Sequence, residues 1–103
     1  MYFIAHCLDR PDALELRASL RPEHLRYLDS ISRVIVLAGP NLDGSGNSIG
    51  SMLIFETDSK SEAEQCLHND PYFKGSLFGQ VTVLEWHWGI NPPKQKMPIG
   101  EQV

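Results

Sequence analysis

The chain has 103 residues and a formal charge of −4, with a pI near 5.4: the size of one domain, and an acidic balance that suits neither nucleic acid nor an anionic membrane surface as a partner. Hydrophobic residues make up 42% and charged ones 21%, ordinary globular usage, so a packed core is expected and wholesale disorder is not. Cys7 and Cys66 are the two cysteines, too few for a disulfide scaffold and without the CxxC spacing of zinc or redox sites, so both read as small buried hydrophobes.

Tyr2 to Leu8 is a short apolar run closed by Asp9-Arg10-Pro11, which predicts a strand entering a turn. The run is too short to span a membrane and has no cationic leader, so a cytoplasmic protein is expected. Asp12 and Glu15 have the spacing of a capping box, and Ala13, Leu16 and Leu20 recur at helical steps. Pro22 restarts the pattern, with Leu25, Leu28 and Ile31 as the stripe of a second segment, so a helical crossover broken near Pro22 is predicted.

Val34 to Ala38 and Ser51 to Phe55 read as strands. The polar Asn41 to Gly50 stretch between them reads as a long functional hairpin loop. Ser59 and Glu62 offer another capping box, and Asp70-Pro71 ends the helix that follows because the residue before proline avoids helical geometry. Val81 to Trp88 gives the last strand. The 91–103 stretch holds three of the seven prolines and no period, so a domain over 1–90 is expected to end in an extended tail.

The order β-α-β-β-α-β predicts an α+β, ferredoxin-like fold with an antiparallel sheet. If the first strand runs up, its junction with the first helix, the Gly39 to Gly50 loop, the end of the second helix at Asp70 and the start of the last strand share one edge. His24, at i−4 and i−7 from Leu28 and Ile31, lies on the inward face of its segment, so His24 and Asp70 are expected to converge. A carboxylate from Asp70 or Asp9 would accept the Nδ1–H, fix the tautomer and leave Nε2 as a general base.

Each candidate also has a plain structural reading. An imidazole at a helix start is commonly just hydrogen-bonded, Asp before Pro is a routine helix terminator, and Asp9 suits a helix cap. Arg10, Arg17 and Arg21 cluster near the same junction and would suit a carboxylate-bearing substrate, solvated arginines being the default. His6 and His87 are expected side by side on one sheet face, as interface packing rather than metal ligands, and His68 at the surface; no metal site is expected. Strand positions facing away from the helices carry large groups such as Phe3, Phe55, Trp86 and Trp88 in one or other register, which predicts a homodimer.

Arg21-Pro22-Glu23-His24-Leu25, Leu37-Ala38-Gly39-Pro40-Asn41, Gly50-Ser51 and Asn69-Asp70-Pro71-Tyr72 together resemble the YCII-related family, over nearly the whole domain. The ending after Glu85-Trp86-His87-Trp88-Gly89 departs from the shorter Pro-Phe type of that family. The resemblance implies a dimeric α+β barrel and a cofactor-free site on a His and Asp pair, matching His24 and Asp70, with Asp9 nearby. Among relatives it implies a dehydrochlorinase of a chlorinated hydroxyquinol and, in related barrels, muconolactone isomerases. The function expected is thus a small lyase or isomerase acting on a small anionic oxygenated molecule, with Arg10, Arg17, Arg21, Gly39, Pro40, Asn41 and Ser51 on the substrate; the alternative is a non-catalytic ligand-binding or accessory protein using the same pocket.

Overall fold

The computed structural model describes residues 1–90, and the expected tail over 91–103 lies outside the described residues. Seven elements follow in order: β1 (Tyr2–Asp9), α1 (Leu14–Ser30), β2 (Ile35–Leu42), β3 (Ser48–Glu56), α2 (Lys60–His68), α3 (Pro71–Lys74) and β4 (Phe78–Trp86). The four strands form one sheet in the order β2-β3-β1-β4, and every pairing is antiparallel. This is the ferredoxin-like βαββαβ arrangement, with α3 as a short addition. No helix among the described residues is long and apolar enough to cross a membrane.

Strand alternation sorts the sheet into two faces. Phe3, Ala5 and Cys7 of β1 lie opposite Phe55, Leu53 and Ser51 of β3, and the five hydrophobic ones form the core with Ala63 and Leu67 of α2. Phe3 and Phe55 therefore face the helices, which settles the register that the sequence left open and takes them off the outer face. The register shows why: the other parity of β1, with Tyr2, Ile4, His6 and Leu8, already fills the outer face. His6 lies opposite Thr82, five residues from His87, so these two histidines are not neighbours. Cys7 is buried but Cys66 only half so.

The crossover is one helix, not two. α1 runs through Pro22 without interruption, because Pro22 sits on the solvent side, where water can take the carbonyl its missing N–H leaves free. The expected capping box at Asp12 does not form. Asp12 is left-handed at φ 56°, a conformation that short polar Asp tolerates, and Ala13 stands at the N-cap with no side-chain hydrogen bond. At the second box, Ser59 Oγ accepts from the Glu62 N–H at 3.2 Å, and the Glu62 carboxylate reaches back to the Asp58 N–H at 3.3 Å rather than to that of Ser59.

β2 and β3 are longer than the sequence pattern implied. Gly39, Pro40 and Asn41 belong to β2 rather than to a loop, which shrinks to a tight turn in which Asp43 Oδ1 accepts from the N–H groups of Ser45 and Asn47. β2 is an edge strand, so a proline that cannot donate to a ladder is tolerated there. Gly50 has a steric reason to be glycine, since a Cβ would meet the Cys7 carbonyl oxygen at 2.4 Å. β4 begins earlier and ends earlier than expected, at Phe78 and Trp86.

Tyr27 ties α1 to α2 by donating its hydroxyl to the Cys66 carbonyl at 2.6 Å. Burial pushes the Tyr27 phenol up to about 12 and the Cys7 thiol, also facing the Asp70 and Asp9 carboxylates, up to about 12. Both groups release protons earlier in the unfolded chain, so their contribution to stability is complete below their ordinary values and is lost as pH rises toward about 12. Urea unfolding should accordingly show stability falling through the alkaline range. Tyr27→Phe should lose about 1 kcal/mol at neutral pH from the missing hydrogen bond and make the alkaline fall shallower.

Candidate functional site

An amphipathic helix normally turns a leucine-rich stripe to its sheet. The buried positions of α1 are instead Arg17 and His24, seven residues and two turns apart, hence on one face about 10 Å from each other along the axis. Tyr72 of α3 fills the space between them. Its ring stacks on the His24 imidazole at 3.8 Å between centroids and 11° between planes, while the Arg17 guanidinium carbon lies 4.7 Å from its centroid. Phe78 meets the Tyr72 ring edge-on at 6.0 Å.

Asp70 holds this arrangement. As N-cap of α3, with Pro71 at the first helical position, it accepts the Tyr72 N–H on Oδ1 at 2.9 Å. The same oxygen lies 2.7 Å from His24 Nδ1, and since a carboxylate only accepts, that ring nitrogen carries the proton. Asp70 is 1% exposed and His24 7%. Asp70 Oδ2 is buried with no partner among the described residues. Nε2 of His24 has no hydrogen bond among the described residues, and the ring borders a cavity of about 190 Å³.

The cavity has two kinds of wall. Arg17, Arg21, His24, Ser48, Ser51 and Tyr72 supply polar groups; Leu25, Leu28, Ala38, Pro40 and Leu53, with Gly39, supply an apolar one. The extension of β2 brings Gly39 and Pro40 to it.

Asp9 does not reach His24. It pairs with Arg17, Oδ2 to Nε at 2.7 Å and Oδ1 to Nη2 at 3.0 Å, and Arg17 Nη2 also donates to Ser51 Oγ at 2.8 Å. Burial works against the charged guanidinium, but the Asp9 carboxylate more than offsets it and holds Arg17 above its ordinary value. With Nε and Nη2 committed, Arg17 is a buried strut across β1, β3 and α1. Arg21 is exposed and makes no ion pair among the described residues. Arg10 lies on a separate depression beside Pro11, Asp12 and Asn47, and Asn41 borders a shallow pocket with His6, Gln80 and Thr82; neither lines the His24 cavity. Asn41 pairs with Gly50, a register that turns it to the sheet face opposite the helices.

Sequence reasoning missed Tyr72 as a site residue, along with Ser48, Leu25 and Leu28. The signal for Tyr72 was present: Asp followed by Pro is an N-cap before a first-turn proline, and the residue after that supplies the N–H the cap accepts. A four-residue helix is too short to show a period. Among the described residues, no cluster of three or more His, Cys, Asp or Glu is arranged to hold a metal.

The model of the YCII-related domain matches residues 1–87. Protein YciI of Escherichia coli is 31% identical over 91 residues, covering 81% of this chain and 93% of its own. An uncharacterised protein of Haemophilus influenzae is 29% identical over the same coverage. Among solved structures, the 5-chloro-2-hydroxyhydroquinone dehydrochlorinase TftG of Burkholderia phenoliruptrix, in complex with 2,5-dihydroxybenzoquinone, superposes with a TM-score of 0.79 at 35% identity, over 84% of this chain and 94% of that one.

Removing one member of the Arg17–Asp9 pair would leave a buried charge uncompensated. Asp9→Leu should cost about 3–5 kcal/mol in urea unfolding, and the double variant Asp9→Leu/Arg17→Met should recover a large part of that loss.

Proposed function

The chain belongs to the YCII-related family, and from that premise we propose that it is a cofactor-independent lyase or isomerase in which His24 moves a proton on a small, anionic, oxygenated ring. The observation that carries the reading is the His24 ring itself, with Nδ1 on Asp70 at 2.7 Å and its other edge toward a cavity of about 190 Å³. That volume suits a single ring, since a dry cavity of about 150 Å³ accommodates benzene. The apolar wall of Leu25, Leu28 and Leu53 suits the ring faces. Arg21, whose charge no carboxylate neutralises among the described residues, suits an oxyanion. TftG, whose structure holds a dihydroxybenzoquinone, supports a substrate of the hydroxylated-ring class.

In this reading Nε2 takes a proton from a ring hydroxyl and the O–H bonding pair moves into the ring. The imidazolium that forms is stabilised by the Asp70 carboxylate, whose buried charge has few other partners. In the elimination branch a proton is delivered to the chlorine-bearing carbon, after which a second hydroxyl proton and chloride leave, a net loss of HCl. In the isomerisation branch the proton returns to a different carbon. Base, orienting carboxylate and cationic anchor are all side chains of this chain, so no cofactor is invoked.

A homodimer in the cytoplasm belongs to the same reading. The sheet face away from the helices exposes Leu8, Leu37 and Leu84 alongside Tyr2, Ile4 and Met52, apolar surface that a second copy would cover. Light scattering should give about twice the 11.6 kDa chain mass; a clean monomer at micromolar concentration would contradict the dimer.

Turnover is to be measured on a panel of chlorinated hydroxyhydroquinones, hydroxyquinols and muconolactones. With a substrate found, His24→Gln and Asp70→Asn should each lower kcat/KM by about 10²- to 10⁴-fold, and Arg21→Ala should act mainly on KM. Full activity in His24→Gln would refute the base assignment. Binding across the panel without turnover would favour the ligand-binding alternative.

A further inference from the structure

Tyr72 is 2% exposed, and three contacts fix its ring: His24 on one side, the Arg17 guanidinium 4.7 Å from its centroid, and Phe78 at its edge. Its hydroxyl behaves differently from the ring. The Arg17 guanidinium, which can only donate, lies beside the hydroxyl oxygen, while the O–H itself donates to no group among the described residues, and the oxygen is not one of the fully buried side-chain atoms left without a partner, which among those residues are Asp70 Oδ2 and Trp88 Nε1. A hydroxyl on a buried ring that lines the cavity, its own proton uncommitted and its oxygen not sealed off, opens onto that cavity. Buried tyrosines ordinarily find a partner for the O–H; here the vacant direction is the one a ligand would occupy.

We propose that Tyr72 is a second catalytic residue of this site, its hydroxyl donating a hydrogen bond to the substrate oxygen on which negative charge collects as His24 removes the proton. The inference rests on the proton-transfer reading of the cavity and adds its electrophilic half. When Nε2 takes the proton of a ring hydroxyl, negative charge collects on that oxygen before the pair moves into the ring, and a neutral donor fixed beforehand stabilises that oxygen without reorganising. The surroundings suit a donor. Burial raises the Tyr72 phenol above its ordinary value while the Arg17 and Arg21 charges pull the other way, so the proton stays on the phenol at neutral pH. The stack on His24 sets the two groups side by side, so that the oxygen that gives its proton to Nε2 can also meet the hydroxyl. No proton leaves Tyr72 in this step: it donates a hydrogen bond and keeps the hydrogen.

Tyr72→Phe removes the hydroxyl and keeps the ring, the stack and the backbone N–H bonded to Asp70, so the variant should match the wild type in thermal unfolding. The probe is 2,5-dihydroxybenzoquinone, titrated by absorbance into wild type, Tyr72→Phe and His24→Gln. Wild type should bind it, and Tyr72→Phe should bind roughly ten- to a hundredfold more weakly, the loss expected for a hydrogen bond to a charged oxygen. With a substrate from the panel, Tyr72→Phe should lower kcat about 100-fold with KM nearly unchanged. Equal binding and equal kcat in wild type and Tyr72→Phe would overturn the role of Tyr72 and leave His24 standing. Undiminished turnover by His24→Gln would overturn the base assignment instead, and absence of binding by the wild type would overturn both.

Discussion

One carboxylate oxygen organises this molecule's functional end. Asp70 Oδ1 accepts from the backbone N–H that opens α3 and from the imidazole of α1, so one contact starts a helix, docks a second helix on it and fixes the tautomer of a histidine. Both donors converge on the same oxygen, and the carboxylate is 1% exposed. Charge buried in this way is costly unless paired and hydrogen-bonded. The pairing that offsets this cost also leaves Nε2 without a hydrogen bond among the described residues, on a ring that borders the cavity. Structural and chemical roles therefore do not separate: the cap that ends one element and begins the next is also the group that orients the candidate base.

The price of this design is visible in α1, whose inward face gives its two buried positions to Arg17 and His24 rather than to leucine. Cohesion has to come from elsewhere. It comes from the aliphatic and aromatic pairs across β1 and β3, from Ala63 and Leu67 of α2, and from Tyr72, which fills the gap between the two polar side chains with an aromatic ring. The Arg17–Asp9–Ser51 bridge performs on the sheet side what Asp70 performs on the helix side: it ties a buried polar side chain of α1 to a neighbouring element and holds the helix in place. Between these two anchors lies a cavity with one polar and one apolar wall, suited to a flat oxygenated molecule.

The fold was legible because its strands are apolar runs bounded by Gly, Pro and Asp, and because element order alone selects the βαββαβ arrangement. The convergence of His24 with Asp70 followed from that topology and not from any motif. What the sequence pattern concealed was settled by tertiary context. Pro22 reads as a break but sits where solvent can serve the freed carbonyl. Gly39-Pro40-Asn41 reads as a turn but continues an edge strand, where a missing donor costs little. The register of β1 against β3 decided whether Phe3 and Phe55 faced in or out, and one-residue parity is not readable from two uniformly apolar strands. Asp9 and the three arginines were close in sequence, yet only side-chain geometry shows that Arg17 is taken by Asp9, that Arg10 and Asn41 point elsewhere and that Arg21 lines the cavity.

In the proposed mechanism Asp70 holds the proton on Nδ1 of His24 and leaves Nε2 as the acceptor on the cavity side. Two-bond ¹H–¹⁵N correlation spectra of the imidazole, recorded on the wild type and on Asp70→Asn, report the tautomer of the neutral ring directly. The neutral His24 ring of the wild type should carry its proton on Nδ1, and this preference should weaken or be lost in Asp70→Asn. A neutral wild-type ring protonated on Nε2, or a tautomer indifferent to the loss of the Asp70 carboxylate, would contradict that mechanism.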